Sequence, residues 1–223
     1  MLLHSHVASS KQLHILVVDD HPVVRKGILA ILSHGLGSVD VAEASDAAHG
    51  LSIIETTRLD LVITDISLPG INGIEFVKQS IARWPDLRFL VLTRHDEELF
   101  AERALRAGAR GFVMKSEADT ELVDAVRKIL TGSVYVTNNA KTQILSNLSD
   151  LDQSKTGVER LSDRELEVYE HMGHGASRGE IASALNVSVK TVDSYRGRLK
   201  DKLGLRTTAQ LVQHAVQWVQ SAK

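Results

Sequence analysis

The feature that most constrains the fold is a series of short apolar runs, rich in β-branched residues, that each stop at a polar side chain. Leu61-Val62-Ile63 runs into Thr64-Asp65, His14-Ile15-Leu16-Val17-Val18 into Asp19-Asp20, Leu90-Val91-Leu92 into Thr93, and Gly111-Phe112-Val113-Met114 into Lys115. Runs without polar alternation belong to strands buried on both faces of a parallel sheet. Val39 and Val41 mark a further strand. Helical spacing fills the intervals. Pro22 opens a helix with Val23, Val24, Ile28, Ile31 and Leu32 on one face, and Ser45 opens another through Ala48, Leu51 and Ile54. A third helix runs from Asn72 to Arg83 before Trp84-Pro85, a fourth from Asp96 to Ala107 before Gly108, and a fifth from Asp119 to Leu130 before Gly132. The pattern predicts an α/β unit with a parallel sheet covered by helices on both faces.

Right-handed crossovers place all the strand ends on one edge, where open α/β sheets bind their ligands. That edge gathers the carboxylates of Asp19, Asp20 and Asp65, the hydroxyl of Thr93 and the ammonium of Lys115. Taken alone, Asp65 reads as a cap of the helix after Pro69-Gly70. The set reads differently. Clustered carboxylates resist ionising together unless a hard cation joins them, and Mg²⁺ suits oxygen ligands better than zinc does. A lysine and a hydroxyl can hold phosphoryl oxygens. These are the parts that move a phosphoryl group onto a carboxylate, here Asp65.

At residues 13–131 the sequence resembles the response-regulator receiver family, with separated positions matching in order: Asp19 and Asp20 as the acidic pair, Asp65 as phosphoacceptor, Thr93 as switch hydroxyl and Lys115 as the phosphoryl-binding lysine. The resemblance implies the flavodoxin-like strand order 2-1-3-4-5. It also implies Mg²⁺ held by Asp20, Asp65 and the backbone carbonyl of Ser67, with Asp19 acting through a metal-bound water. Phe112 matches the aromatic that rotates on activation. Many relatives have Tyr there, and Phe keeps the ring without the phenolic hydrogen bond. Ser67 and His95 lie where they should tune dephosphorylation.

The whole chain, 223 residues at 43% hydrophobic and 24% charged, has the composition of a protein able to bury a core. It has no cysteine, which excludes disulfides and thiol catalysis. No apolar run approaches the roughly 18 residues needed to span a bilayer, and the opening Met1-Leu2-Leu3-His4-Ser5-His6 makes a poor signal peptide, so residues 1–12 read as a loose tail of a cytoplasmic protein. Charge is unevenly spread. Residues 155–223 hold 11 Lys+Arg against 8 Asp+Glu, whereas residues 1–154 hold 15 against 20. An acidic first part with a mildly basic end suggests two functions, the second toward nucleic acid.

Residues 132–157 read as a linker, polar and turn-prone, with one short helix around 139–147. Beyond it, Ser162-Asp163-Arg164-Glu165, Ser177-Arg178-Gly179-Glu180 and Thr207-Thr208-Ala209-Gln210 have capping-box spacing. With Ser188 as a further cap they predict helices over 162–172, 177–185, 188–203 and 207–219. The expected core is Leu161, Leu166, Val168, Ile181, Leu185, Val192, Leu199, Leu203, Leu211 and Val216. A tight turn followed by a helix with a basic outer surface follows helix-turn-helix logic, and periodicity alone fits a small helical interaction module equally well. His171 and His174, three apart, lack a third ligand for a metal and read as surface histidines.

The runs Leu161-Ser-Asp-Arg-Glu-Leu-Glu-Val, Gly179-Glu-Ile-Ala-Ser-Ala-Leu-Asn-Val-Ser, Lys190-Thr-Val-Asp-Ser-Tyr and Lys202-Leu-Gly-Leu resemble the LuxR-type helix-turn-helix over residues 158–220. The resemblance implies DNA contacts from Lys190, Thr191, Ser194, Arg196, Gly197, Arg198 and Lys200. It also implies a dimer contact through the last helix. Asp193 departs from the pattern, standing where relatives often carry lysine, and Gly197 is unusual within a helix.

Together the two parts resemble a NarL/FixJ-class response regulator. The implied partners are a sensor histidine kinase or small phosphodonor, DNA, a second copy of the chain on activation, and RNA polymerase, with no membrane. Phosphorylation of Asp65 would free the recognition helix and promote dimerisation. Two alternatives stand beside this. One is a DNA-binding regulator whose receiver never sees phosphate. The other is a Mg²⁺-dependent aspartyl phosphatase, which would want a second acid where Ser67 stands. No nucleophilic triad, P-loop or dinucleotide motif points to another enzyme.

Overall fold

In the computed structural model, residues 12–95, 97–138, 140–142, 144 and 157–221 are described. The order is β1 (Leu13–Val18), α1 (Pro22–Leu36), β2 (Val39–Ala44), α2 (Ala47–Thr56), β3 (Leu61–Thr64), α3 (Gly73–Arg83), β4 (Phe89–Thr93), α4 (Glu97–Arg106), β5 (Gly111–Met114) and α5 (Ala118–Leu130). The strands form one parallel sheet in the order β2-β1-β3-β4-β5, as expected of a flavodoxin-like unit. Each buried strand divides its apolar residues between the two faces by the two-residue period. Leu16, Val18, Val62, Phe89, Val91 and Phe112 pack toward α2, α3 and α4. Ile15, Val17, Leu61, Ile63, Leu90, Leu92 and Val113 pack toward α1 and α5. This two-sided burial explains why the runs lack polar alternation.

Two boundaries differ from expectation for local reasons. The second helix starts at Ala47 rather than Ser45, because the Asp46 side chain accepts the His49 backbone N–H at 2.9 Å and so acts as the cap. The beginning of the expected linker is fastened down. Tyr135 bridges Gly111 in parallel along the edge of β5, with Phe112 N donating to Tyr135 O at 2.9 Å. Tyr135, Val136 and Ala140 are buried. Residues 138, 140–142 and 144 are helical, and the rest of the expected 139–147 helix lies outside the described residues.

The second unit has α6 (Asp163–Gly173), α7 (Arg178–Ala184), α8 (Val189–Leu203) and α9 (Thr208–Ser221) after a 3-10 turn at Gly157–Arg160. Both serine capping boxes form, and Gln210 Oε1 accepts from Thr207 N while Thr207 Oγ1 accepts from Gln210 N. The α7–α8 turn carries Asn186 at φ 50°, a left-handed conformation that asparagine tolerates. The core holds the expected residues except for two. Leu203 is only partly buried, and Ala215 rather than Val216 faces inward from α9, beside Tyr169 and Met172. A 3.6-residue period resolves neighbouring positions poorly at the margin of an apolar stripe. Among the described residues no helix is long and apolar enough to cross a membrane.

Candidate functional site

β1 and β3 are adjacent in register, Val18 beside Thr64, so their ends deliver Asp19, Asp20 and Asp65 to one place at the point where strand order reverses. Asp65 is 5% exposed. Its backbone N–H continues the sheet by donating to Val18 O at 3.0 Å, and its Oδ1 accepts from Ile66 N at 2.7 Å. Lys115, from the end of β5, places Nζ 2.5 Å from Asp65 Oδ2 and 2.6 Å from Asp19 Oδ2. Thr93 is fully buried at the end of β4, and its hydroxyl oxygen accepts from His95 N at 3.4 Å. Phe112 is also fully buried, in the core beneath the site. The structure thus brings Asp19, Asp20, Asp65, Thr93 and Lys115 to one edge and sets Phe112 below them.

Three supporting residues escaped the sequence reading. Arg25 donates to Asp19 O at 2.6 Å and to Glu43 Oε2 at 2.8 Å, tying the acidic turn to β2. His21 sets Nδ1 2.6 Å from Asp20 Oδ1. Gly73 begins α3 so close to the phosphoacceptor turn that a Cβ would stand 1.8 Å from Asp65 O, and its N–H donates to Ile66 O at 2.7 Å. Only glycine permits that approach.

The donor set fits a hard cation. Ligand atoms of Asp19, Asp20 and His21 lie within 4.8 Å of one another. Asp19 Oδ2 and Asp20 Oδ1 are buried and accept no hydrogen bond, their approaches to Lys115 and His21 being ion contacts that lack hydrogen-bond geometry. Buried carboxylate oxygens in that condition favour an oxygen-seeking ion.

The mouth of this site is covered by the second unit. Asn72 Nδ2 donates to Glu167 Oε1 at 2.8 Å, and Ser67 Oγ lies 3.4 Å from Glu167 Oε2. Ser67 Oγ is also 2.8 Å from His95 Nε2, and His95 Nδ1 is 2.5 Å from Glu170 Oε2. Arg164 donates to Glu167 at 2.8 Å and to Leu185 O at 2.6 Å, from within α6's own domain. At the rim, Arg103 of α4 donates to Leu161 O at 2.8 Å and Asp163 Oδ1 at 3.0 Å. Burial opposes a charged His95, but the hydrogen bond and charge of Glu170, with the charges of Glu167 and Asp65, raise its pKa above the ordinary value. Burial pushes the Glu167 carboxyl up, against Arg164, His95 and Asn72. His171 is not a surface residue. It stands half-buried, its ring 6.2 Å from His95, with its pKa lowered by burial and by the His95 charge.

On α8, Lys190, Ser194 and Arg198 are exposed, while Thr191, Arg196, Gly197 and Lys200 are half-buried. The Asp193 carboxylate pairs with Arg178 of α7 at 3.2 Å and with Arg196 at 3.5 Å, which ties α8 to the preceding helix. Arg198 lies 4.5 Å over the Tyr195 ring. Gly197 would admit a Cβ with nothing within 4 Å, so packing inside the chain does not require glycine there. Among the described residues the hydrogen bonds of α8 run to its own domain. The receiver covers α6, where the expectation was a covered recognition helix.

Residues 15–127 match the model of the response regulator receiver domain, and residues 159–215 match that of bacterial regulatory proteins of the luxR family. The chain is 32% identical to the response regulator UvrY of Escherichia coli (strain K12) over 92% of its own length and 94% of that protein's. It is 35% identical to the transcriptional activator protein ExaE of Pseudomonas putida, covering 91% and 95%. Among solved structures it resembles RcsB from Salmonella enterica serovar Typhimurium bound to promoter rprA in the presence of the phosphomimetic beryllofluoride. That match has a TM-score of 0.60 and 27% identity, and covers 92% of this chain and 98% of that one.

Proposed function

We propose a function from one premise: the chain belongs to the NarL/FixJ class of response regulators, in which a receiver domain is joined to a LuxR-type helix-turn-helix. Asp65 is the phosphoacceptor, and phosphorylation there controls dimerisation and sequence-specific DNA binding by the second domain. The observation that carries the reading is Lys115 Nζ lying within 2.6 Å of both Asp19 and Asp65 at the strand ends. In our division, residues 13–131 form the receiver, 132–157 the linker and 158–220 the DNA-binding domain.

A carboxylate oxygen of Asp65 attacks the phosphorus of a kinase phosphohistidine or a small acyl phosphate. The new P–O bond forms as the donor's P–N or P–O bond breaks, and the electron pair leaves with the donor. Lys115 and Thr93 hold the phosphoryl oxygens. Asp19, Asp20, Asp65 and the Ser67 carbonyl would hold Mg²⁺, which when bound supplies charge neutralisation between phosphoryl oxygens and carboxylates. Movement of Thr93 toward the phosphoryl group draws on Phe112 below it.

On the DNA side, Lys190, Thr191, Arg196, Arg198 and Lys200 contact phosphate, Gly197 permits close approach to DNA, and Ser194 belongs to the same DNA-binding set. Two copies then meet half-sites about one helical turn apart, with RNA polymerase as a further partner in the cytoplasm. The chain is a switch with no role as an enzyme on external substrates. Incubation with acetyl phosphate and Mg²⁺ tests this. Wild type should gain one phosphoryl group and bind a two-fold DNA site more tightly, and Asp65→Ala should do neither. Equal DNA affinity in both would establish the phosphorylation-independent alternative, and continuous release of phosphate from esters would establish the phosphatase.

A further inference from the structure

Asp193 puts a carboxylate on α8, among residues suited to phosphate. Its side chain is 45% exposed, and its oxygens meet two guanidiniums: Arg178 Nη1 donates at 3.2 and 3.4 Å, and Arg196 Nη1 at 3.5 Å. Two cations against one anion leave the cluster net positive, so repulsion by phosphate does not keep this carboxylate out of a DNA groove. Helical spacing sets Asp193 on one stripe with Val189, a turn before it, and Gly197, a turn after it. Val189 is 42% exposed, an apolar side chain of the kind that meets a thymine methyl group. At Gly197 a Cβ would meet nothing within 4 Å, so the packing of the protein gives no reason for a missing side chain. A partner that approaches closely does. By the same spacing Lys190 and Ser194 flank the stripe on one side and Arg196 on the other. Cations at the flanks of such a stripe suit a helix set into the major groove, with phosphates at its edges and bases at its centre.

We infer that Asp193 determines sequence specificity by reading a cytosine: its carboxylate accepts from the N4 amino group of that base while Arg178 and Arg196 hold it in place. The inference rests on the reading of α8 as the DNA-contacting helix. The choice of base follows from donors and acceptors. An ionised carboxylate can only accept. In the major groove guanine shows two acceptors, and thymine an acceptor and a methyl group, so both are rejected. Cytosine and adenine each offer an amino donor. Adenine sets its N7 acceptor beside that donor, which repels the second carboxylate oxygen, whereas cytosine has no such neighbour. Cytosine is therefore preferred.

The test is selection of binding sites from a randomised duplex library by the full-length chain with Mg²⁺ and beryllofluoride. Wild type, Asp193→Ala, Asp193→Asn and Arg178→Ala are run in parallel, each shown to be folded by circular dichroism. Wild type should enrich a two-fold site with one position in each half-site fixed as cytosine. Asp193→Ala should lose at least about fivefold in discrimination at that position and keep the rest of the site. Asp193→Asn should turn the preference there to adenine, because an amide accepts from N6 and donates to N7. Arg178→Ala should weaken binding to all sequences and keep the cytosine. Identical sites for wild type and Asp193→Ala, or a cytosine unchanged in Asp193→Asn, would overturn the inference and leave the carboxylate as a tie between α8 and α7. No enriched site from wild type would overturn the DNA-contacting role of α8 together with it.

Discussion

Two groups of buried carboxylates face each other across the receiver mouth, and they are balanced in different ways. Asp19 and Asp65 sit on the ends of sheet strands and share Lys115, 10% exposed, from a third strand. Glu167 and Glu170 sit on a helix of the other domain and are met by Arg164 from their own helix and by Asn72, Ser67 and His95 from across the gap. The first group has no exit, because its backbone is the sheet itself. The second can leave for water by undocking. The same physical liability, a carboxylate out of solvent, is therefore a fixed chemical site in one place and a reversible contact in the other.

The largest expected effect follows from that contrast. Lys115→Ala strands two buried carboxylates and should lower receiver stability by about 3–5 kcal/mol in urea unfolding. Arg164→Ala should instead loosen docking at smaller cost to folding, because Glu167 can reach solvent. Equal losses of stability in the two variants would break the distinction. Next in size is Gly73→Ala. Its Cβ must displace the Asp65 carbonyl, so we expect about 1–3 kcal/mol of destabilisation and slower phosphorylation. A stability scan and a labelling time course on the same preparation would check both.

The smallest effect is with pH. His95 has a raised pKa when docked, so its contribution to docking is complete below its ordinary value of 6.5 and is lost as pH rises through the docked value. Glu167, also raised, acts in the same direction above its ordinary 4.5. His171 is lowered, so docking must overcome its protonation below 6.5. Facing these groups are Glu170, Arg164, Asp65, Ser67 and Asn72. Docking should therefore weaken as pH rises above 6.5 through the docked value of His95, and phosphorylation of wild type should quicken over that range more than that of Glu167→Ala. Parallel pH profiles would remove His95 from the contact.

The sheet was legible because its evidence is local. Continuous apolar runs and the residues that stop them specify strand and edge, while the order 2-1-3-4-5 needed the family resemblance beside the alternation with helices. The caps of the second domain were legible for the same reason, each needing only four residues. Glu167 was not. In the run Ser162-Asp-Arg-Glu-Leu-Glu-Val, Glu167 looks like solvated helix surface, and only contact with a domain about a hundred residues away makes it buried. A signal did exist. Asp163, Glu167 and Glu170 repeat at helical spacing on one stripe, which an exposed, soluble helix does not require. Gly73 was missed because its need arises from the Asp65 carbonyl, eight residues earlier in sequence, and the Tyr135 bridge because a polar composition conceals a few buried residues.

The central claim is that one mouth serves either α6 or the phosphoryl group. Because the chain has no cysteine, labels at Lys78→Cys on α3 and Gln213→Cys on α9 report the separation of the domains without interference. The measurement is the distance distribution between two spin labels, with Mg²⁺ and with or without beryllofluoride, beside the same pair in Asp65→Ala. The account predicts a single narrow distribution that becomes longer and broader with beryllofluoride in the Asp65 chain and stays unchanged in Asp65→Ala. An unchanged narrow distribution in the fully beryllofluoride-loaded Asp65 chain would contradict it.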